Sequence, residues 1–368
     1  MDTPRYTPLI ASLPAAVPFV GPEVAERARG AEFAARLGAN ENVFGPSPRA
    51  IAAMAEAAKD VWKYGDSASA DLRAGLAAHH GIAAENIVIG EGIDGLLGQL
   101  VRLLIEPGDR IVTSAGGYPT FNYHVLGYGG VIEAVPYVGD AEDARGLVER
   151  AAACGAKLLY IANPDNPMGS VHSADVIEAM VEAVPPGCLL ILDEAYIEFA
   201  PEGTAPRIDP DDPRVIRFRT FSKAYGMAGA RVGYGIAARG LVSAFDKIRN
   251  HFGMGRISQA GAMAALKDQD YLRQVIEKVA QSKARIADIA RDNGLVPLPS
   301  ATNFVTIDCG ADGDFSRRIV AELGARDIFI RMPFMAPQDR CIRISAGRPA
   351  HLDLLAARLP EALKAARI

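Results

Sequence analysis

The chain is poor in the residues that staple, insert or ligate. Its four cysteines, Cys154, Cys188, Cys309 and Cys341, lie far apart with no C-x-x-C pair, so no disulfide framework or zinc ribbon organises it. Buried free thiols in a reducing cytoplasm are expected instead. No uninterrupted apolar run approaches the roughly 18 residues that a membrane-spanning helix needs. The six histidines show no spacing, with one another or with Cys, Asp or Glu, that marks a metal site. Blocks of like charge are missing too. A formal charge of -5 and a pI near 5.8 leave no electrostatic footprint for nucleic acid or an anionic membrane, and small molecules are the expected ligands. No internal repeat or low-complexity tract interrupts the pattern. The stretch 8–20 is apolar, but prolines at 8, 14 and 18 break it and only Arg5 precedes it, so it reads as an N-terminal arm rather than a signal peptide.

What is present is length and alternation. With 368 residues and 49% hydrophobic content, the chain has enough material for a large domain and a smaller companion. Short apolar runs at 86–89, 110–113, 131–138, 157–162, 188–192, 215–221 and 231–236 read as strands. They alternate with helical periods at 48–59, 71–80, 93–104, 141–154, 173–184 and 240–250, the pattern of crossover units and a largely parallel sheet. Ser47 before Pro48 marks a helix start. A long amphipathic helix at 269–293 ends at Asn293-Gly294, and sparser strands follow at 303–308, 328–331 and 341–345, with helices at 315–324 and 351–366. That predicts an N-terminal arm and part of the small domain over 1–40, a large α/β domain over 41–275 and a small α+β domain over 276–368.

Chemistry gathers where these strands end. Thr220-Phe221-Ser222-Lys223-Ala224-Tyr225-Gly226 places one lysine in a small-residue turn, with Arg231 eight residues on. A lysine amine acts in catalysis by forming a Schiff base with a carbonyl, and hydroxyls with a guanidinium fork suit a phosphate beside it. Taken alone, such a lysine is more often a solvated surface group. Gly90-Glu91-Gly92-Ile93-Asp94-Gly95 runs from a strand into a helix and offers amides to an anion, or is simply a glycine-rich turn. Leu96 stands where a dinucleotide fingerprint needs its third glycine, which favours a single phosphate over NAD. Asn163-Pro164-Asp165-Asn166-Pro167 puts Asn166 past another strand, where a plain turn explains it equally well. The wholly apolar run 189–192 ends in Asp193, with Tyr196 behind it. That acid is placed to pair with a protonated ring nitrogen, to cap a helix or to bind Mg²⁺, although no Walker loop accompanies it.

Taken together and in this order, these motifs resemble a fold-type I aminotransferase that uses pyridoxal phosphate, and most of all the histidinol-phosphate aminotransferase group. The likeness runs from Ala39-Asn40-Glu41-Asn42 and Gly45-Pro46-Ser47-Pro48 to Arg343-Ile344-Ser345-Ala346-Gly347. It implies a mainly parallel seven-stranded sheet sandwiched by helices, plus a small α+β domain. Lys223 is implied as the residue that bonds the cofactor and moves a proton at the substrate Cα. Asp193 is implied at the pyridinium nitrogen, Asn166 and Tyr196 at the ring oxygen, and Phe121 on the ring face. The phosphate falls to Gly92, Ile93, Asp94, Ser222 and Arg231, with Tyr64 reaching that of a neighbouring subunit in a homodimer. Arg343 is implied for the substrate carboxylate, Arg331 for a distal phosphate, and Asn42 and Phe19 as further substrate contacts.

The departures bear on the substrate. Phe19 stands where the group has a tyrosine, Met168 where threonine is usual, and Asp94-Gly95 lacks a second acid. The run Met332-Pro333-Phe334-Met335-Ala336-Pro337 after Arg331 is apolar and would favour an aromatic or aliphatic side chain. The expected activity is a cytoplasmic transamination between histidinol phosphate or an aromatic amino acid and a 2-oxo acid such as 2-oxoglutarate. The alternatives are decarboxylation of a phosphorylated amino acid, as in a threonine-phosphate decarboxylase relative, and a non-catalytic ligand sensor.

Overall fold

The computed structural model of the chain describes residues 4–15 and 20–367. Twelve strands follow one another: β1 (Ala35–Arg36), β2 (Ile87–Gly90), β3 (Arg110–Ser114), β4 (Val131–Val135), β5 (Leu158–Ala162), β6 (Leu189–Asp193), β7 (Val215–Thr220), β8 (Gly233–Ala237), β9 (Val296–Pro297), β10 (Phe304–Asp308), β11 (Ile328–Phe329) and β12 (Cys341–Ser345). Seven of them form one sheet in the order β2-β8-β7-β6-β5-β3-β4. β8 alone runs against its neighbours β2 and β7, and the other pairings are parallel. The central strands β5 and β6 are buried along their whole length, as a sheet covered on both faces requires.

Helices cover both faces. Gly92–Leu104, Pro119–Gly127 and Arg239–Phe245 enclose one apolar layer with Leu97, Phe121, Tyr160 and Phe218 at its centre. Ala144–Cys154 and Ala174–Glu182 close the other, around Leu147, Ile161 and Leu190. A third cluster joins Leu72, Leu76, Phe221, Tyr234 and Ala262 under the helices Pro48–Ala58, Ala70–His80 and Arg256–Lys267.

The remaining strands make a three-stranded antiparallel sheet, β12-β10-β9, and a parallel pair, β1-β11. Helices Gly313–Ala325 and Pro349–Ala366 pack on them around Ile319, Ile342 and Leu355. Helix Gln269–Asp292 joins the two bodies: Leu272, Val275 and Val279 are buried in the large one, Ile286, Ile289 and Ala290 in the small. Residue 275 therefore lies inside a continuous helix, and the apolar contacts change sides about a turn further on. Ala35 and Leu37 belong to the small core, so the chain enters that body before building the large sheet.

Several boundaries shift from the expected ones. The strand expected to start at Arg231 starts at Gly233, because Arg231 takes a left-handed conformation (φ 53°) that ends the preceding 3₁₀ turn. The helices Pro119–Gly127 and Arg256–Lys267 are additional to the sequence reading. Among the described residues no helix is long and apolar enough to cross a membrane.

Candidate active site

Register brings the chemistry together. Ala162 at the end of β5 pairs with Asp193 of β6, Asp193 with Phe218 of β7, Thr220 with Gly233 of β8, and Gly233 with Gly90 of β2. The carboxyl ends of four parallel strands and the start of β8 thus share one edge, where open α/β sheets bind ligands. A cavity of about 850 Å³ opens there, lined among others by Lys223, Asp193, Tyr196, Asn166, Ser222, Arg231, Arg331 and Arg343. Asn166, Lys223 and Arg343, which are 57 and 120 positions apart in the sequence, meet in it.

Lys223 leaves β7 on a turn held from the N-terminal segment. Asn42 Nδ2 donates to the carbonyls of Lys223 and Ala224 at 3.1 and 3.0 Å. The Lys223 ammonium donates to the Asn40 carbonyl at 3.2 Å and sits 5.5 Å from the Tyr196 ring centre. Burial drives its pKa down to about 8, with Arg343 and Arg231 adding to the effect and Tyr118 opposing it. The amine is therefore available as a base and nucleophile close to neutral pH.

Asp193 closes the floor. Its Oδ2 accepts from the Tyr160 hydroxyl at 2.7 Å and its Oδ1 from the Ala195 amide at 3.0 Å. Burial raises this carboxyl to about 6, and the two hydrogen bonds and Lys223 limit the rise. Tyr196 accepts from Asn40 Nδ2 at 3.0 Å, and burial pushes its phenol up to about 12. The ring hydroxyl therefore stays protonated and able to donate.

At one end of the cavity Gly92 opens the helix Gly92–Leu104 at φ 77°, and a side chain there would meet Arg231 Nη2 at 2.3 Å. Arg231 also reaches Ser222 Oγ at 3.3 Å, and Ser222 in turn accepts from Thr220 Oγ1 at 3.0 Å. A guanidinium, hydroxyls and the free amides of a helix start make an anion cradle. At the other end Arg343 crosses from β12: it donates to Asn166 Oδ1 and, at 3.2 Å, to the Gly38 carbonyl. Its Nε is buried without a partner among the described residues, an orphan donor suited to a carboxylate. Arg331 bridges Arg343 through the backbone and donates to the Val20 carbonyl.

Two expectations change. Phe121 does not reach the cavity: it is fully buried and stacks on Tyr160 with ring centres 4.9 Å apart. The helix starts at Pro119, which leaves Tyr118 at the mouth and turns the third helical residue, Phe121, toward the sheet. Asn42 likewise spends its amide on the lysine turn, and Asn40 takes the place on the cavity wall. Tyr64 is 77% exposed, stacked on Phe252 at 4.6 Å, and is absent from the lining of this cavity. The expectation for Phe19 lies outside the described residues. Sequence reasoning overlooked Tyr160 and Tyr118; the first was hidden in an apolar strand, and the second was visible only as the residue before Pro119.

Comparison with known proteins agrees with this fold. The family model for aminotransferase class I and II matches residues 35–359. A histidinol-phosphate aminotransferase of Carboxydothermus hydrogenoformans is 33% identical over 89% of this chain and 90% of its own length. One from a Jannaschia species is 35% identical over 85% and 87%. The crystal structure of histidinol-phosphate aminotransferase from Sinorhizobium meliloti, in complex with pyridoxal-5'-phosphate, superposes with a TM-score of 0.95 at 55% identity, covering 99% of this chain and 98% of that one. The chain belongs to the class I and II aminotransferases.

Proposed function

We propose that this aminotransferase binds pyridoxal 5'-phosphate in the cavity and exchanges an amino group between histidinol phosphate and a 2-oxo acid such as 2-oxoglutarate. The observation that carries the reading is the convergence of Lys223, Asp193 and the Gly92–Ser222–Arg231 cradle on one cavity with two further arginines beyond them. The residues fit the cofactor. The cradle has room for a phosphate only because Gly92 lacks a side chain, and the buried Asp193 carboxylate suits a cationic ring nitrogen.

When bound, the cofactor supplies an electron-withdrawing ring that stabilises charge at the substrate Cα and carries the amino group between half-reactions. The chain supplies the rest. Ser222, Arg231 and the amides of Gly92, Ile93 and Asp94 hold the phosphate, Asp193 holds the ring nitrogen protonated, and Tyr196 with Asn166 holds the ring oxygen. Lys223, with its depressed pKa, takes and returns the Cα proton. Arg343 turns its fork to the substrate carboxylate, where a planar guanidinium outperforms a point charge. Arg331, one strand away from it, faces a distal phosphate. A second copy of the chain covers the exposed group Val61, Trp62, Tyr64 and Phe252, so that Tyr64 reaches the neighbour's phosphate site and the enzyme works as a cytoplasmic homodimer. The division into 1–40, 41–275 and 276–368 belongs to the same reading.

A second donor class is favoured by one observation: Tyr118, Tyr123, Met332, Pro333 and Phe334 line the cavity beside Arg331. An aromatic amino acid would find its side chain's surroundings there. The visible spectrum of the purified holoenzyme, followed while histidinol phosphate, phenylalanine and glutamate are added in turn, decides between them. Loss of the cofactor's band at low histidinol phosphate supports the first reading. A response to phenylalanine alone transfers the assignment to aromatic substrates, and no response to any amino donor overturns both.

A further inference from the structure

Beside the anion cradle, on the same helix, stands a carboxylate. Asp94 lies in the first turn of Gly92–Leu104, two residues after the glycine on which Arg231 rests, and is half exposed to the cavity. A negative side chain favours a helix start in isolation, but beside a bound phosphate it repels the charge the amides attract. The structure shows where that carboxylate is kept. His124, from the helix Pro119–Gly127, brings Nε2 to 2.8 Å from Asp94 Oδ1. Facing a carboxylate, that nitrogen carries the hydrogen and donates, whether the ring is neutral or protonated.

The histidine is itself seated. Gly98 is four residues after Asp94, on the same face of the helix, and a side chain there would come within 2.9 Å of His124 Cε1 and 3.0 Å of Nδ1. The ring therefore rests directly on the helix backbone, and only glycine leaves it that position. Asp94, Gly98 and His124 form a unit in which the ring is fixed at one end and holds the carboxylate at the other.

We propose that His124 is a positioning residue for the cofactor's phosphate: it holds the Asp94 carboxylate away from the Gly92–Ser222–Arg231 cradle and so keeps the cradle net positive. This rests on the reading of the cavity as a pyridoxal phosphate site. Without the ring, Asp94 is free to turn toward the cradle and oppose the phosphate. A ligand with the same ring and no phosphate is indifferent to the change.

The test is equilibrium binding to apoenzyme, with pyridoxal phosphate and pyridoxal as separate probes, for the wild type, His124→Ala, Asp94→Asn and the double variant. His124→Ala is expected to bind pyridoxal phosphate roughly tenfold more weakly and pyridoxal as before. Asp94→Asn in the His124→Ala background is expected to restore most of the loss, because the charge to be restrained is gone. Equal losses for both probes, a loss that Asp94→Asn does not repair, or wild-type affinity in His124→Ala each overturns the role of His124. Wild-type apoenzyme that does not bind pyridoxal phosphate overturns the cofactor assignment itself, an outcome distinct from the other three.

Discussion

Tyr160 and Asp193 lie on adjacent parallel strands and on the same face of the sheet, and the phenol donates to the acid across 2.7 Å. The pair sets the charge of the cavity floor. Burial raises Asp193 from 3.8 to about 6, so between about pH 4 and about pH 6 the folded chain still holds a proton that the unfolded chain has released. The stability contributed by this group is therefore greatest at low pH and declines as pH rises through that window. Asp193→Asn removes the effect. In the apoprotein its stability relative to wild type should climb by on the order of 2–3 kcal/mol between those limits and stay level above them, while turnover is lost. Denaturant titrations across the range check this; a parallel pH dependence in the two proteins would contradict it. Tyr160→Phe, which removes a bond that lowers the pKa, should move the decline to higher pH.

The depressed pKa of Lys223 has a kinetic signature. Cofactor uptake by apoenzyme needs the neutral amine, so its rate should rise with pH and level off above about 8. Stopped-flow mixing of apoenzyme with pyridoxal phosphate measures it. A rate still climbing toward the ordinary lysine value of 10.5 would show that the amine is not desolvated as described. Lys223→Ala should abolish turnover and leave a holoenzyme without the shifted cofactor band.

Gly226 closes the lysine turn at φ 69°, and a side chain there would lie 2.4 Å from the carbonyl of Gly45. Both contact atoms are backbone, so no rotamer change relieves the clash. Gly226→Ala should cost roughly 2–4 kcal/mol of stability and weaken cofactor binding, because the Asn42 and Gly45 segment that grips the turn must move. Thermal melts of apo and holo forms together test it; an unchanged melting point would refute the close approach.

Behind the site, Glu194 is buried between Arg217 at 2.7 Å and Arg219 at 2.8 Å, both on β7. Burial alone would raise its pKa, but the two guanidiniums hold it below the usual value. Glu194→Gln leaves two buried cations sharing a neutral amide and should destabilise the fold by roughly 3 kcal/mol. Denaturant unfolding of this variant at neutral pH is the measurement, and a midpoint equal to wild type would show the network to be dispensable.

The sequence reveals this site unevenly, for physical reasons. Asp193 is legible because an acid at the end of a wholly apolar strand has nowhere to go except the sheet edge, and Lys223 because it stands in a small-residue turn just behind a strand. Tyr160 is not, because its hydroxyl matters only once the register of β5 against β6 is known. Phe121 and Tyr118 are exchanged because a start at Pro119 fixes which of them faces inward, and that start is visible only in three dimensions. The helix Arg256–Lys267 escapes notice because glycine and alanine blur its apolar period. The reversed β8 is missed as well: the run 231–236 shows the same apolar character whichever way it runs.

The segment 37–42 has a further consequence. Ser345 donates its amide to the Leu37 carbonyl, Arg343 reaches the Gly38 carbonyl, and Asn40 touches both Lys223 and Tyr196. The cavity wall is thus tied together by segments about 300 residues apart, with Lys223 between them in the sequence. During synthesis the large sheet can form as soon as its own strands have left the ribosome. Arg343, however, the residue proposed to grip a substrate's carboxylate, is delivered by β12, the last of the described strands, so the nascent chain can place Lys223 before that arginine exists.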